Sequence, residues 1–275
     1  MPVKSAAASA AFNPNKNFVL VKVLLFAAAF ILFLLSFLAF SAAGLTFTYF
    51  LDIGQLVSSE SFFSIPLILF TVLTAISFAL MGFFGFELET IYALIPFFFF
   101  LIAAFASIFF VPAYFPIFLA LAIALSAAPI IASMSKDKPS FALSSKSIRM
   151  ALFIFVICIT IFSGIKTELN KDAYFDKFLV GAVNVGLTPV VQGAEGAGQG
   201  EIAQQVAQTI TPQYVREQLG NNALYKTFYN FFSLFIAGIV FLTASAFAFV
   251  ARWLSKPISF SLAKAFGYET KVKLI

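Results

Sequence analysis

Six stretches of roughly twenty apolar residues, almost free of charge, restrict what this chain folds into more than any other feature. A hydrocarbon layer about 30 Å thick takes roughly 20 consecutive apolar residues per helical crossing. Only a helix or a closed barrel satisfies its own backbone polar groups there. The runs cover residues 18–43, 65–86, 91–110, 115–134, 150–165 and 228–251. The expected fold is therefore all-α, a polytopic transmembrane bundle of about six spans, with a small helical extracytoplasmic segment between the fifth and sixth.

Composition leaves no water-soluble alternative. Hydrophobic residues make up 61% of the 275 positions and charged ones 11%, with a mean hydropathy of +1.00. A soluble domain has roughly 45–50% and about 25%. The 40 phenylalanines suit lipid, since the ring needs no hydrogen-bond partner, whereas the tip of the one tryptophan, Trp253, favours the interface beside Arg252. Cys158 is the sole cysteine and histidine is absent. Those two facts exclude an internal disulfide, a cysteine metal cluster and the commonest general base. No catalytic, cofactor-binding or metal-ligating residue is assigned, no cofactor is expected, and the chain is read as non-enzymatic.

Basic residues set the expected orientation. Residues 1–17 form a polar tail, and the first apolar run is too long for the h-region of a cleaved signal peptide, so it is expected to stay as a span. With both termini in the cytoplasm of a multi-pass cell-membrane protein, twelve Lys and Arg fall on the inner side and five in the long segment 166–227. The short outer loops hold none, as the positive-inside rule requires. The same excess accounts for the sequence pI near 9.3 through anionic lipid rather than nucleic acid.

Segment 166–227 carries most of the information outside the bilayer. Glu168, Asp172 and Asp176 recur at four-residue spacing, with Phe175, Phe178, Leu179 and Ala182 on another face. Aligned carboxylates attract hard cations, but with Lys171 and Lys177 nearby the expectation is a solvated amphipathic face. The apolar stretch 178–191 is too short to span. It is expected to be a buried helix of the cap, the competing interpretation being a re-entrant path. Residues 192–200, with four glycines, resemble no phosphate loop and are expected to be a flexible linker. Residues 201–210 repeat Ile202, Val206 and Ile210 on one side of an amphipathic helix. A second helix then starts with Thr211 as N-cap and Pro212 at its first position, and ends at Gly220. Beyond span 228–254, the tail 255–275 reads as a separate basic amphipathic helix on the inner leaflet.

The apolar cores of the runs contain no Asp, Glu, Lys, Arg or His, which argues against ion-coupled transport. Ser36, Ser77, Ser107, Ser126, Thr160 and Ser163 are read as packing hydroxyls. The leading expectation is a non-catalytic membrane scaffold or complex subunit, with the lipid bilayer and other membrane subunits as partners. The alternative is an uncoupled channel, transporter or lipid-handling protein with a path near 178–191.

Overall fold

The computed structural model describes residues 17–44, 64–85, 90–134, 141–196 and 211–265. Nine α-helices follow one another among them: α1 (Asn17–Ala42), α2 (Ile65–Phe84), α3 (Thr90–Ala93), α4 (Ile95–Phe110), α5 (Phe115–Met134), α6 (Phe141–Leu169), α7 (Lys171–Gly196), α8 (Pro212–Leu219) and α9 (Ala223–Ala265). A 3₁₀ turn, Pro112–Tyr114, joins α4 to α5. Six segments are long and apolar enough to cross a membrane, so the chain is an integral membrane protein of all-α bundle type.

Prolines punctuate the spans. Pro96 enters at the start of α4, directly after the break at Leu94 that leaves α3 as a single turn. At Val111 the backbone departs from helix, and Pro112 and Pro116 then turn the chain into α5, the short hairpin that their spacing predicts. Pro129 stays inside α5 and Pro257 inside α9, where each removes one backbone donor without ending the helix.

The most extensive packing is between α6 and α9, α1 and α2, and α5 and α6, followed by α2 with α9 and α4 with α5. Helices α2, α5, α6 and α9 thus close a ring in that order, and α1 covers its outside. Phenylalanine cements the joints. Phe33 meets Phe100 edge-on at 5.1 Å, Phe37 stacks on Phe118, and Phe40 lies 4.8 Å from Phe70. Each edge-on pair adds about 0.5–1.5 kcal/mol beyond the area it buries.

Two expected boundaries fall inside helices. The fifth span, expected at 150–165, belongs to a helix running from Phe141 to Leu169. Lys146 and Arg149 do not end it, because long basic side chains reach the interface from within a helix. The tail expected as a separate helix from 255 continues α9 without a turn as far as Ala265. Leu262 still packs against the core there. The remainder of that tail, and the amphipathic repeat at 201–210, lie outside the described residues.

Candidate functional site

Two features stand apart from ordinary span packing. The first is a cavity of about 760 Å³ between α2, α5, α6 and α9, open to the outside of the bundle where Ile68, Val72, Leu242 and Val250 of its wall are exposed. Phe70 and Ile68 of α2, Ile117 of α5, Phe155 and Ile159 of α6 and Phe247 of α9 contribute to its wall. Rings of three of these residues meet there, Phe247 lying 5.2 Å from Phe70 and 5.7 Å from Phe155. Two of the three hydroxyls on the wall serve their own helices: Thr71 donates to the Leu67 carbonyl at 2.8 Å and Thr243 to that of Ile239 at 2.9 Å, and Ser163 is the third. What remains is an apolar chamber. Among the described residues its one ionisable wall group is Lys166, near the C-terminal end of α6.

The second feature is an arm formed by α7 and α8. It begins where Asn170 interrupts the helix between α6 and α7. Phe175 is fully buried and meets Tyr229 and Phe232 of α9 edge-on, each at 5.0 Å. Phe178 packs on Phe228, Phe232 and Phe235 of the same helix. Helix α8 is capped as its sequence predicts. The Thr211 side chain accepts from the Tyr214 amide at 3.2 Å, Pro212 follows, and Gly220 closes the far end.

The three carboxylates do not form a purely solvated face. Ser233 of α9 donates to Glu168, and Lys171 pairs with the same carboxylate at 3.2 Å. Tyr229 donates to Asp172 at 2.6 Å. Arg216 of α8 lies 2.8 Å from Asp176 and 3.7 Å from Asp172, and donates to the Asp172 carbonyl at 3.3 Å. Lys171 reaches the Asn230 carbonyl at 3.1 Å as well. All three carboxylates keep solvent contact, yet each also ties one helix to another. Nearby, burial pushes the Tyr174 phenol up. Among the described residues no three acidic or cysteine side chains converge closely enough to hold a metal ion.

Among the described side chains of 178–191, the buried ones are at its start. Phe178, Leu179 and Gly181 are covered, whereas Val180, Val185, Gly186 and Pro189 are exposed. A Cβ added at Gly186 would meet nothing within 4 Å. The glycine-rich segment expected as a linker from 192 is helical as far as Gly196. Glycine costs a helix only about 1 kcal/mol, and here it sits in the last turn. The large cavity lies elsewhere, between α2, α5, α6 and α9.

The hydroxyls read as packing groups behave as such where their bonds are recorded. Ser36, Ser107, Ser126 and Thr160 each donate to a carbonyl three or four residues back at 2.6–2.7 Å. Ser77 bonds Leu73 at 2.9 Å and also reaches the Ala29 carbonyl of α1 at 3.4 Å. Ser163 is buried. No family model, curated protein or solved structure matches the chain.

Proposed function

We propose that this integral membrane protein is a non-catalytic subunit or scaffold whose α7–α8 arm receives a partner membrane protein. The asymmetry of α7 carries the reading. Its first turns are anchored on α9 through Phe175 and Phe178, while farther along Val185, Gly186 and Pro189 share an exposed apolar side of the helix. Small and β-branched residues on such a flank allow close helix approach. The non-catalytic part rests on inventory: a lone Cys158, no histidine, and the Ser107, Ser126 and Thr160 hydroxyls bonded within their own helices.

An even number of crossings puts both chain ends on one side, and the distribution of basic residues supports the cytoplasm for that side. The competing class, an uncoupled conduit along 178–191, has weaker support. Helix α7 is continuous through Gly181 and Gly186, and the large cavity is built from other helices.

The test compares wild type with Val185→Asp after mild detergent extraction. Because Val185 is 40% exposed, an aspartate there stays hydrated and the monomer is expected to fold. A stoichiometric companion should accompany wild type and be lost from the variant. A lone, monodisperse wild-type protein that moves solute across liposome membranes would refute the subunit reading.

A further inference from the structure

We propose that the cavity between α2, α5, α6 and α9 is a binding site for one anionic phospholipid, its acyl chain in the chamber and its headgroup at Lys166. The wall is largely apolar, and its hydroxyls at Thr71 and Thr243 already donate to their own helices, so hydrophobic contact holds the chain while Lys166 selects the headgroup. A chain lying in the chamber makes dispersion contacts along its lining.

Size argues for a chain rather than a protein helix. One turn of helix, a cylinder about 10 Å across and 5.4 Å tall, displaces on the order of 400 Å³. The 760 Å³ available therefore holds fewer than two turns, whereas a spanning helix needs five or six. At about 30 Å³ per water-sized group, it takes on the order of 25 such groups, the scale of an acyl chain.

Depth and charge agree with that. The α6 wall runs from Phe155 to Lys166, a rise of about 16 Å at 1.5 Å per residue. That is close to half of the ~30 Å hydrocarbon layer. A chain anchored by its headgroup at Lys166 thus reaches the level of Phe155 and Phe247 at its natural depth, and Val250 and Leu254 continue the wall beyond them. Lys166 stands near the end of the Lys146–Leu169 span, at the level where lipid phosphates lie and where a lysine ammonium is drawn to an anionic headgroup.

The test reconstitutes the full chain in vesicles of phosphatidylglycerol or phosphatidylcholine with identical acyl chains, extracts it in mild detergent and counts retained lipid by native mass spectrometry. Wild type is expected to keep one lipid per chain and to prefer the anionic one. Lys166→Gln should lower that preference about fivefold while still retaining lipid. Thr243→Trp, which puts an indole ring into the chamber across the path of the chain, should weaken retention of both. The lysine substitution leaves the apolar core untouched, so it carries the test if the tryptophan variant does not fold. Wild type stripped of lipid under these conditions, a Lys166→Gln variant with undiminished preference, or lipid retention unaltered in a folded Thr243→Trp variant would each overturn the assignment.

Discussion

At Gly85, just past the end of α2, a single hydrogen decides whether two helices meet. A Cβ there would lie 2.3 Å from both the Cα and the carbonyl oxygen of Pro129 in α5. Those atoms are backbone and have no rotamer through which to yield. The backbone of Gly85 itself is ordinary, with φ −71°, so the glycine serves contact rather than conformation. Gly85→Ala is expected to push α2 from α5 and cost about 1–3 kcal/mol, read as a drop of several degrees in detergent thermal unfolding. Gly186→Ala is the control. Nothing lies within 4 Å of its added methyl, and alanine is the better helix former by about 1 kcal/mol, so that variant should match or exceed wild type. Equal unfolding temperatures for Gly85→Ala and wild type would mean that the two helix ends are not in contact.

The arm is held by unequal fasteners, and separating them is a test at the level of the element. Phe175 is buried among four aromatic rings of α9, so Phe175→Ala should cost roughly 3 kcal/mol or more. Arg216 joins α8 to Asp172 and Asp176 through partly exposed ion pairs, worth about 1 kcal/mol at most. Hydrogen exchange should accordingly show α7 losing protection throughout in Phe175→Ala, and only α8 doing so in Arg216→Ala. The reverse pattern would mean that charge, not aromatic packing, docks the arm. The sequence made the spans legible because lipid demands a long uniform apolar signal, and it made α8 legible because Thr211, Pro212 and Gly220 act locally. It did not disclose the role of Glu168, Asp172 and Asp176, since their partners Ser233, Tyr229 and Arg216 stand 40 to 65 residues away. Nor did it disclose the cavity. Phe155, Ile159 and Phe247 look like core or lipid-facing residues until four helices assemble around them.

For the whole molecule, the decisive question is on which side each end lies. In a Cys158→Ser background, single cysteines at the exposed positions Gln213 and Ser261 should label from opposite faces, Gln213 from outside and Ser261 only after permeabilisation. Labelling of both from one face would refute the crossing by α9, and reversal of the two would refute the orientation. That helix has 43 residues, about 65 Å at 1.5 Å per residue, roughly twice the hydrocarbon thickness. It carries the aromatic anchor of the arm near one end and Leu262 near the other, and only the donor missing at Pro257 interrupts its ladder. In mechanical terms α9 is a lever with the bilayer as its fulcrum: a tilt of about 10° swings each half-length of this ~65 Å rod by roughly 6 Å. A partner of the kind proposed for the arm would, by such a tilt, move the opposite end of α9 by more than a side chain's width, without any hinge inside the membrane.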